Sequence, residues 1–220
     1  GTALAVNEKA VTAMTKEFGN INEVTTGLAV QMKRMSLQFS ISEENAAAIL
    51  RIQKAVSGAT NEQLLNMQMA TAQLARQRGV APADVFADIA GSTEAFAKFS
   101  ADGGKNVMAA AVSAKSLGLN LSTVQKVAEG LLDIEGSIGK QMEASVLIGR
   151  ELNLDRARQL ALSGDLEGVL REVKNQVGGE AEFNRMNVIQ RQKLAEAVGL
   201  STSELARLTT TQANTMAGAA

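Results

Sequence analysis

The chain has 220 residues, of which 22 are basic and 23 are acidic, so its formal net charge is −1. It contains no Cys, His, Trp or Tyr, which excludes disulfides, thiolate chemistry and imidazole bases or ligands. A nearly neutral chain is also poorly suited to electrostatic capture of nucleic acid or of an anionic membrane.

The residue mix predicts an all-α fold. Proline occurs once, at Pro82, and Ala, Leu, Gln, Glu and Met are frequent. We expect an N-terminal heptad-patterned helix or helical hairpin over 1–39, a compact multi-helix array of short capped helices over 40–177, and a C-terminal helical pair with a weak polar tail over 178–220. No apolar run reaches 18 residues, so no transmembrane helix is expected. The opening "GTALAV" and the closing "TTTQANTMAGAA" suggest a piece of a longer polypeptide.

Heptad spacing marks the first segment. Apolar residues alternate at intervals of three and four, interrupted only by Asn7 and Thr25, which is typical of a coiled-coil seam. One uninterrupted helix would be about 50 Å long. Gly19-Asn20 could instead end one helix and start a second, which would give a hairpin. Both alternatives stay open. In the first case copies of the chain would associate through the seam. The candidate self-association residues are Leu4, Val11, Met14, Phe18, Ile21, Leu28, Met32, Met35 and Phe39.

Cap signals divide the rest of the chain into short helices. Ser40 with Glu43 and Thr60 with Gln63 have the spacing of capping boxes, and Ser42 is a second possible cap. Pro82 suits a first helical turn. Further along, the pattern predicts a helix with Ile138, Met142 and Val146 on its apolar face, a helix starting at Gly164-Asp165, a flexible joint at Gly178-Gly179 and a helix near Phe183 to Val198.

One short phrase recurs. "SLGLNLSTVQKV" (116–127) and "AVGLSTSELARL" (197–208) share a glycine followed by leucine, and "RQRGVAPADVFADI" (76–89) is a looser copy. Glycine can stop a helix in the left-handed conformation, and Ser122 or Ser201 can cap the next helix. We interpret the phrase as a helix–short loop–helix corner. Its irregular spacing does not support a solenoid.

A search for chemistry finds no convergent set of residues. Asp133 and Glu135 are two apart and face different directions on a helix. The loop "ADGGKN" (101–106) lacks the spacing and the Ser/Thr of a phosphate-binding loop, which favours a plain turn between helices. We therefore predict no catalytic, cofactor-binding or metal site, and no enzyme activity.

Two stretches carry a resemblance to a known family. They are "ISEENAAAILRIQKAVSGATNEQLLNMQMATAQLARQRGVAPADVFADIAGSTEAFAKFSADGGKNVMAAAVSAKSLGLNLSTVQKVAEGLLD" and "IGRELNLDRARQLALSGDLEGVLREV". Rich in Ala, Leu and Gln, with glycine–hydrophobic–Ser/Thr corners, they resemble the helical region of phage tail tape-measure proteins. The resemblance covers roughly Ile41 to Val173. It includes no ligand or catalytic motif, so no functional residue is carried over.

The resemblance implies a structural virion protein. Such proteins are long and helical, lie in several copies inside the tail tube, set tail length and leave ahead of the DNA at genome ejection. The implied partners are copies of the chain and tail tube or baseplate proteins, with no sequence-specific nucleic acid and no small-molecule substrate. The departure from the family is a compact middle instead of one rod. The alternatives are a helical interaction module of a cellular adaptor or signalling protein, and an enzyme on a helical scaffold.

Overall fold

Helices are the only regular secondary structure in the described part of the chain, which confirms the predicted all-α class. In the computed structural model the backbone is described for residues 8–18 and 26–217, and the side chains for 12–18 and 27–210. The helices are α1 (Glu8–Phe18), α2 (Thr26–Phe39), α3 (Glu43–Ser57), α4 (Asn61–Gln77), α5 (Pro82–Gly91), α6 (Thr93–Phe99), α7 (Lys105–Ser116), α8 (Leu121–Leu132), α9 (Ile134–Ile148), α10 (Asp155–Leu162), α11 (Leu166–Val177), α12 (Glu180–Arg185), α13 (Val188–Val198) and α14 (Thr202–Ala217).

Contacts along the chain define two compact units, Gly1–Val112 and Ser113–Ala220. The segments expected from the sequence, 1–39, 40–177 and 178–220, stay a prediction. Helices α1 and α2 pack against α3 within the first unit. In the second unit α14 packs against α11, so the C-terminal helices are joined to the helices before Gly178.

Helix α3 lies at the centre of the first unit. It contacts α1, α2, α4, α5 and α6, and its buried residues include Ile49 and Leu50. Phe39 and Phe86 pack with their ring centroids 4.6 Å apart. In this unit aliphatic, Met and Phe side chains from several helices therefore converge on one central helix, as expected when amphipathic helices bury their apolar stripes.

Helix α8 has the corresponding place in the second unit. It contacts α9, α10, α11 and α13, and it buries Leu121, Val124, Val127 and Leu131. Helix α14 closes this unit against α11, α12 and α13. The helix expected from Phe183 to Val198 is divided in two, because Asn187 caps α13 by accepting the backbone N–H of Gln190 at 2.9 Å.

The recurring phrase forms the predicted corner at all three places. Gly79, Gly118 and Gly199 have φ of 71°, 69° and 76°. The next residue in each corner, Val80, Leu119 or Leu200, donates its backbone N–H to the carbonyl of an alanine five residues earlier, at 2.9 Å each time. The following helix begins three residues after the glycine, at Pro82, Leu121 and Thr202.

Two predicted caps are wrong. Ser40 has φ of 55° and ends α2, so Ser42 caps α3 instead and accepts the N–H of Asn45 at 3.1 Å. Ser122 lies inside α8, and the cap position belongs to Asn120, which corresponds to Ser201 when the two corners are aligned on their glycines. The predicted capping box of Thr60 with Gln63 is confirmed, and so is Pro82 in the first turn of α5.

Candidate interaction surfaces

The described seam residues of the N-terminal segment are buried within the first unit. Met14, Leu28, Met32 and Met35 have no exposed surface, Phe39 is 4% exposed, and Phe18 is half-buried. Leu4 and Ile21 lie outside the described residues, and of Val11 only the backbone is described. Helices α1 and α2 contact each other as well as α3, as in the hairpin alternative. Self-association through this seam stays a prediction.

Helix α9 has small and polar residues on its inner side. Its buried side chains are Ser137 and Ala144. Arg158, which is 7% exposed, donates to the Ser137 hydroxyl at 3.0 Å, to the Gln141 side-chain oxygen at 2.6 Å and to the Asp155 carboxylate at 2.7 Å. The contact between α9 and α10 is therefore polar at its centre.

Helix α13 also packs against α9. The Lys193 ammonium lies 3.0 Å from the Glu143 carboxylate, and Gln190 donates to the Leu147 carbonyl at 2.8 Å. Hydrogen bonds to Glu143 and Glu196 raise the pKa of Lys193, while hydrogen bonds from Gln192 and Lys193 lower the pKa of Glu196. These pairs lie at the surface, where their stabilising effect is small.

The large apolar side chains of α9 face outward. The sequence predicts Ile138, Met142 and Val146 as one apolar face, and the structure leaves that face exposed. With Ile134 these residues form a stripe at intervals of four, which we call the α9 stripe. The exposed fractions are 50% for Ile134, 42% for Ile138, 64% for Met142 and 81% for Val146. A contiguous exposed apolar surface is typical of an interaction site.

The first unit carries a groove between α4 and α7, which we call the α4–α7 groove. One wall is a stripe of α4 that runs from Gln63 to Leu74, and the other is the first turns of α7. Its lining is Ser57, Gly58, Ala59, Gln63, Asn66, Met67, Ala70, Thr71, Leu74, Asp102, Gly103, Lys105, Met108 and Ala109. The centre is apolar and one end is polar. The sequence gives no sign of this groove, because two separate helices form it and neither alone has an unusual pattern.

A buried hydrogen-bond chain fixes the floor of the groove. Gln68 donates to the Gln53 side-chain oxygen at 2.9 Å, and Gln53 donates to the Met108 sulfur at 3.0 Å. Both glutamines are fully buried. Methionine is a flexible side chain, and here its sulfur accepts a hydrogen bond from a buried amide beside the groove.

Asp133 and Asp102 act as helix caps, whereas Glu135 lies exposed in the first turn of α9. Asp133 accepts the N–H of Gly136 at 3.3 Å, and Asp102 accepts the N–H of Asn106 at 2.9 Å. In the "ADGGKN" turn the Asp102 carboxylate thus takes the place that a bound anion would need at the start of α7.

Glu204 accepts several hydrogen bonds within the second unit. Its carboxylate accepts from the Ser201 N–H at 2.8 Å, the Ser201 hydroxyl at 2.7 Å and the Thr123 hydroxyl at 2.8 Å. Burial opposes ionisation, but these hydrogen bonds outweigh it and lower the pKa of Glu204. The shift follows from the capping box at the start of α14 and needs no catalytic role.

The described residues contain no group of three or more Asp and Glu residues arranged to hold a metal ion. None of their helices alone has the length and hydropathy to cross a membrane, although the bent pair Lys105–Ser116 with Leu121–Leu132 passes the same test when taken together.

Comparisons of the chain with protein-family models, with curated proteins and with solved structures gave no match.

Proposed function

We propose that this chain is a structural segment of a phage tail tape-measure protein, which lies inside the tail, helps to set its length and is released at genome ejection. The observation that carries the proposal is the resemblance of Ile41–Val173 to the helical region of that family. The all-helical fold agrees with such a role. The outward apolar stripe of α9 agrees with a chain that works by contact with other proteins.

In this proposal the chain is not an enzyme. The Asp102 and Asp133 carboxylates act as helix caps, so their hydrogen-bonding capacity is used for folding. The partners are copies of the chain and the tail tube or baseplate proteins.

Fractionation of virions tests the proposal. Tails are separated from capsids of a phage that encodes this chain, and peptides from residues 41–173 are quantified by mass spectrometry before and after ejection is triggered. We expect the peptides in tails of DNA-filled virions and a strong loss from tails after ejection. Tails without these peptides would refute the location, and equal amounts before and after ejection would refute the release.

The second candidate is a helical interaction module of a cellular adaptor or signalling protein. The α9 stripe favours it equally, because an exposed apolar helix face is suited to any protein partner. The same fractionation separates the two, since a cellular module would be absent from purified virions.

A further inference from the structure

The α9 stripe and the α4–α7 groove have complementary dimensions. The stripe runs from Ile134 to Val146, thirteen residues whose ends lie about 18 Å apart along the helix, and the groove wall runs from Gln63 to Leu74, twelve residues whose ends lie about 16 Å apart. We propose that α9 of one copy of this chain docks in the α4–α7 groove of a second copy. The proposal rests on the proposed function for its biological setting and names the contact between copies that this function requires.

The chemistry of the two surfaces also matches. Met67, Leu74 and Met108 are the large apolar side chains of the groove lining, while Ala70 and Ala109 leave space for another helix to approach. The stripe consists of aliphatic and thioether side chains at positions i, i+4, i+8 and i+12. The four-residue spacing places neighbouring anchors about one helical turn apart, so adjacent anchors can contact one groove wall, as an amphipathic helix does in a hydrophobic groove.

Charge selects this occupant and its direction. Lys105 stands exposed at the polar end of the groove, and Glu135 stands exposed beside the first turn of the stripe. Among the described residues neither forms an ion pair. Docking with the start of α9 at the Lys105 end brings the two charges together. Asp102 lies at the same end and keeps its negative charge, but its carboxylate is directed to the Asn106 N–H and so is held at the start of α7.

The contact joins different surfaces, so it is heterologous. Each copy offers one stripe and one groove, and the contact therefore repeats from copy to copy into a ring or an open chain. A standard interface buries about 800 Å² of accessible surface on each partner, and a single helix of three to four turns in a groove buries less. We therefore expect weak association in solution that increases with concentration.

A matched pair of substitutions tests the apolar part of the contact. Met142 on the stripe and Leu37 on α2 are both 64% exposed, and Leu37 belongs to neither surface. Sedimentation velocity over a series of concentrations measures association of the purified chain. We expect Met142→Glu to raise the dissociation constant at least about tenfold and Leu37→Glu to leave it unchanged. Equal effects, or a wild-type chain that stays monomeric throughout the series, would overturn the proposal.

A charge exchange tests the direction of docking. Lys105→Glu and Glu135→Lys each place like charges together and should each weaken self-association. An equimolar mixture of the two variants restores an opposite-charge pair at both contacts, so the mixture should associate as the wild type does. Circular dichroism verifies that both variants stay folded. A mixture no better than the separate variants would disprove the assigned pairing.

These results separate the docking from the proposed function. Peptides found in tails together with a failed exchange experiment would remove only the docking. Successful exchange with no peptides in tails would remove only the location.

Discussion

The apolar stripe of α1 and α2 is buried, whereas the α9 stripe is exposed. Met14, Leu28, Met32 and Met35 in α1 and α2 are fully buried against their own unit, whereas Ile138, Met142 and Val146 in α9 are exposed. Both stripes have the spacing of an amphipathic helix. The difference lies in the helix face opposite the α9 stripe. That face packs inward through Ser137, Gln141 and Ala144, and Ser137 and Gln141 accept hydrogen bonds from Arg158. Periodicity identifies a stripe, and the partners of the opposite side decide whether it faces inward.

The largest expected difference in stability is between a lysine placed in the buried stripe and a lysine placed in the exposed stripe. Leu28→Lys should destabilise the first unit by about 3–5 kcal/mol, because the ammonium loses its hydration and the packing of a buried leucine is lost. Met142→Lys should change stability by no more than about 0.5 kcal/mol, because its site is already exposed. Denaturant titration with hydrogen exchange to locate the unfolding unit checks both. If Leu28→Lys only dissociated an oligomer and left the helices folded, the predicted intermolecular seam would be the correct interpretation.

The polar attachment of α9 comes next in size. Arg158→Ala should cost about 2–4 kcal/mol, because the buried Ser137 hydroxyl loses its Arg158 donor, Gln141 loses one of its two donors and the packing of a buried side chain is lost. Arg156→Ala is the matched control, since that side chain is 73% exposed and lies 3.8 Å from Glu172. We expect the control within about 0.5 kcal/mol of wild type by denaturant titration. Equal losses would mean that the polar cluster does not hold the helix.

The corners allow one backbone feature to be compared between the units. A Cβ at Gly79 would meet nothing within 4 Å, while a Cβ at Gly199 would lie 3.2 Å from the Val127 Cα. Gly79→Ala should therefore cost about 1–2 kcal/mol, the penalty of a left-handed alanine. Gly199→Ala should cost about 1 kcal/mol more, because the backbone of α8 must also shift. Thermal unfolding of the two variants measures the difference, and a larger loss at Gly79 would contradict the packing argument.

The smallest effect is a pH dependence confined to the second unit. Glu204 has a lowered pKa in the folded state, so its contribution is present above the ordinary glutamate pKa and is lost as the pH falls through the folded pKa. The partly exposed carboxylate limits the effect to about 1 kcal/mol or less. Glu204→Gln should keep a cap, as Gln63 does at the start of α4, and should flatten the acid limb of stability against pH. An unchanged acid limb in the variant would assign the pH dependence to other acids.

The sequence alone determined the helical class, the Thr60–Gln63 cap and the three corners, because each depends on residues within about ten positions of one another. It placed the caps at Ser40 and Ser122 wrongly, since several neighbouring polar residues can serve and the exact chain path selects one. Only the tertiary structure decided the division at Val112, the exposure of the α9 stripe and the α4–α7 groove. These features depend on contacts between helices distant in sequence, such as Arg158 with Ser137, and local periodicity holds no record of which helix lies opposite which.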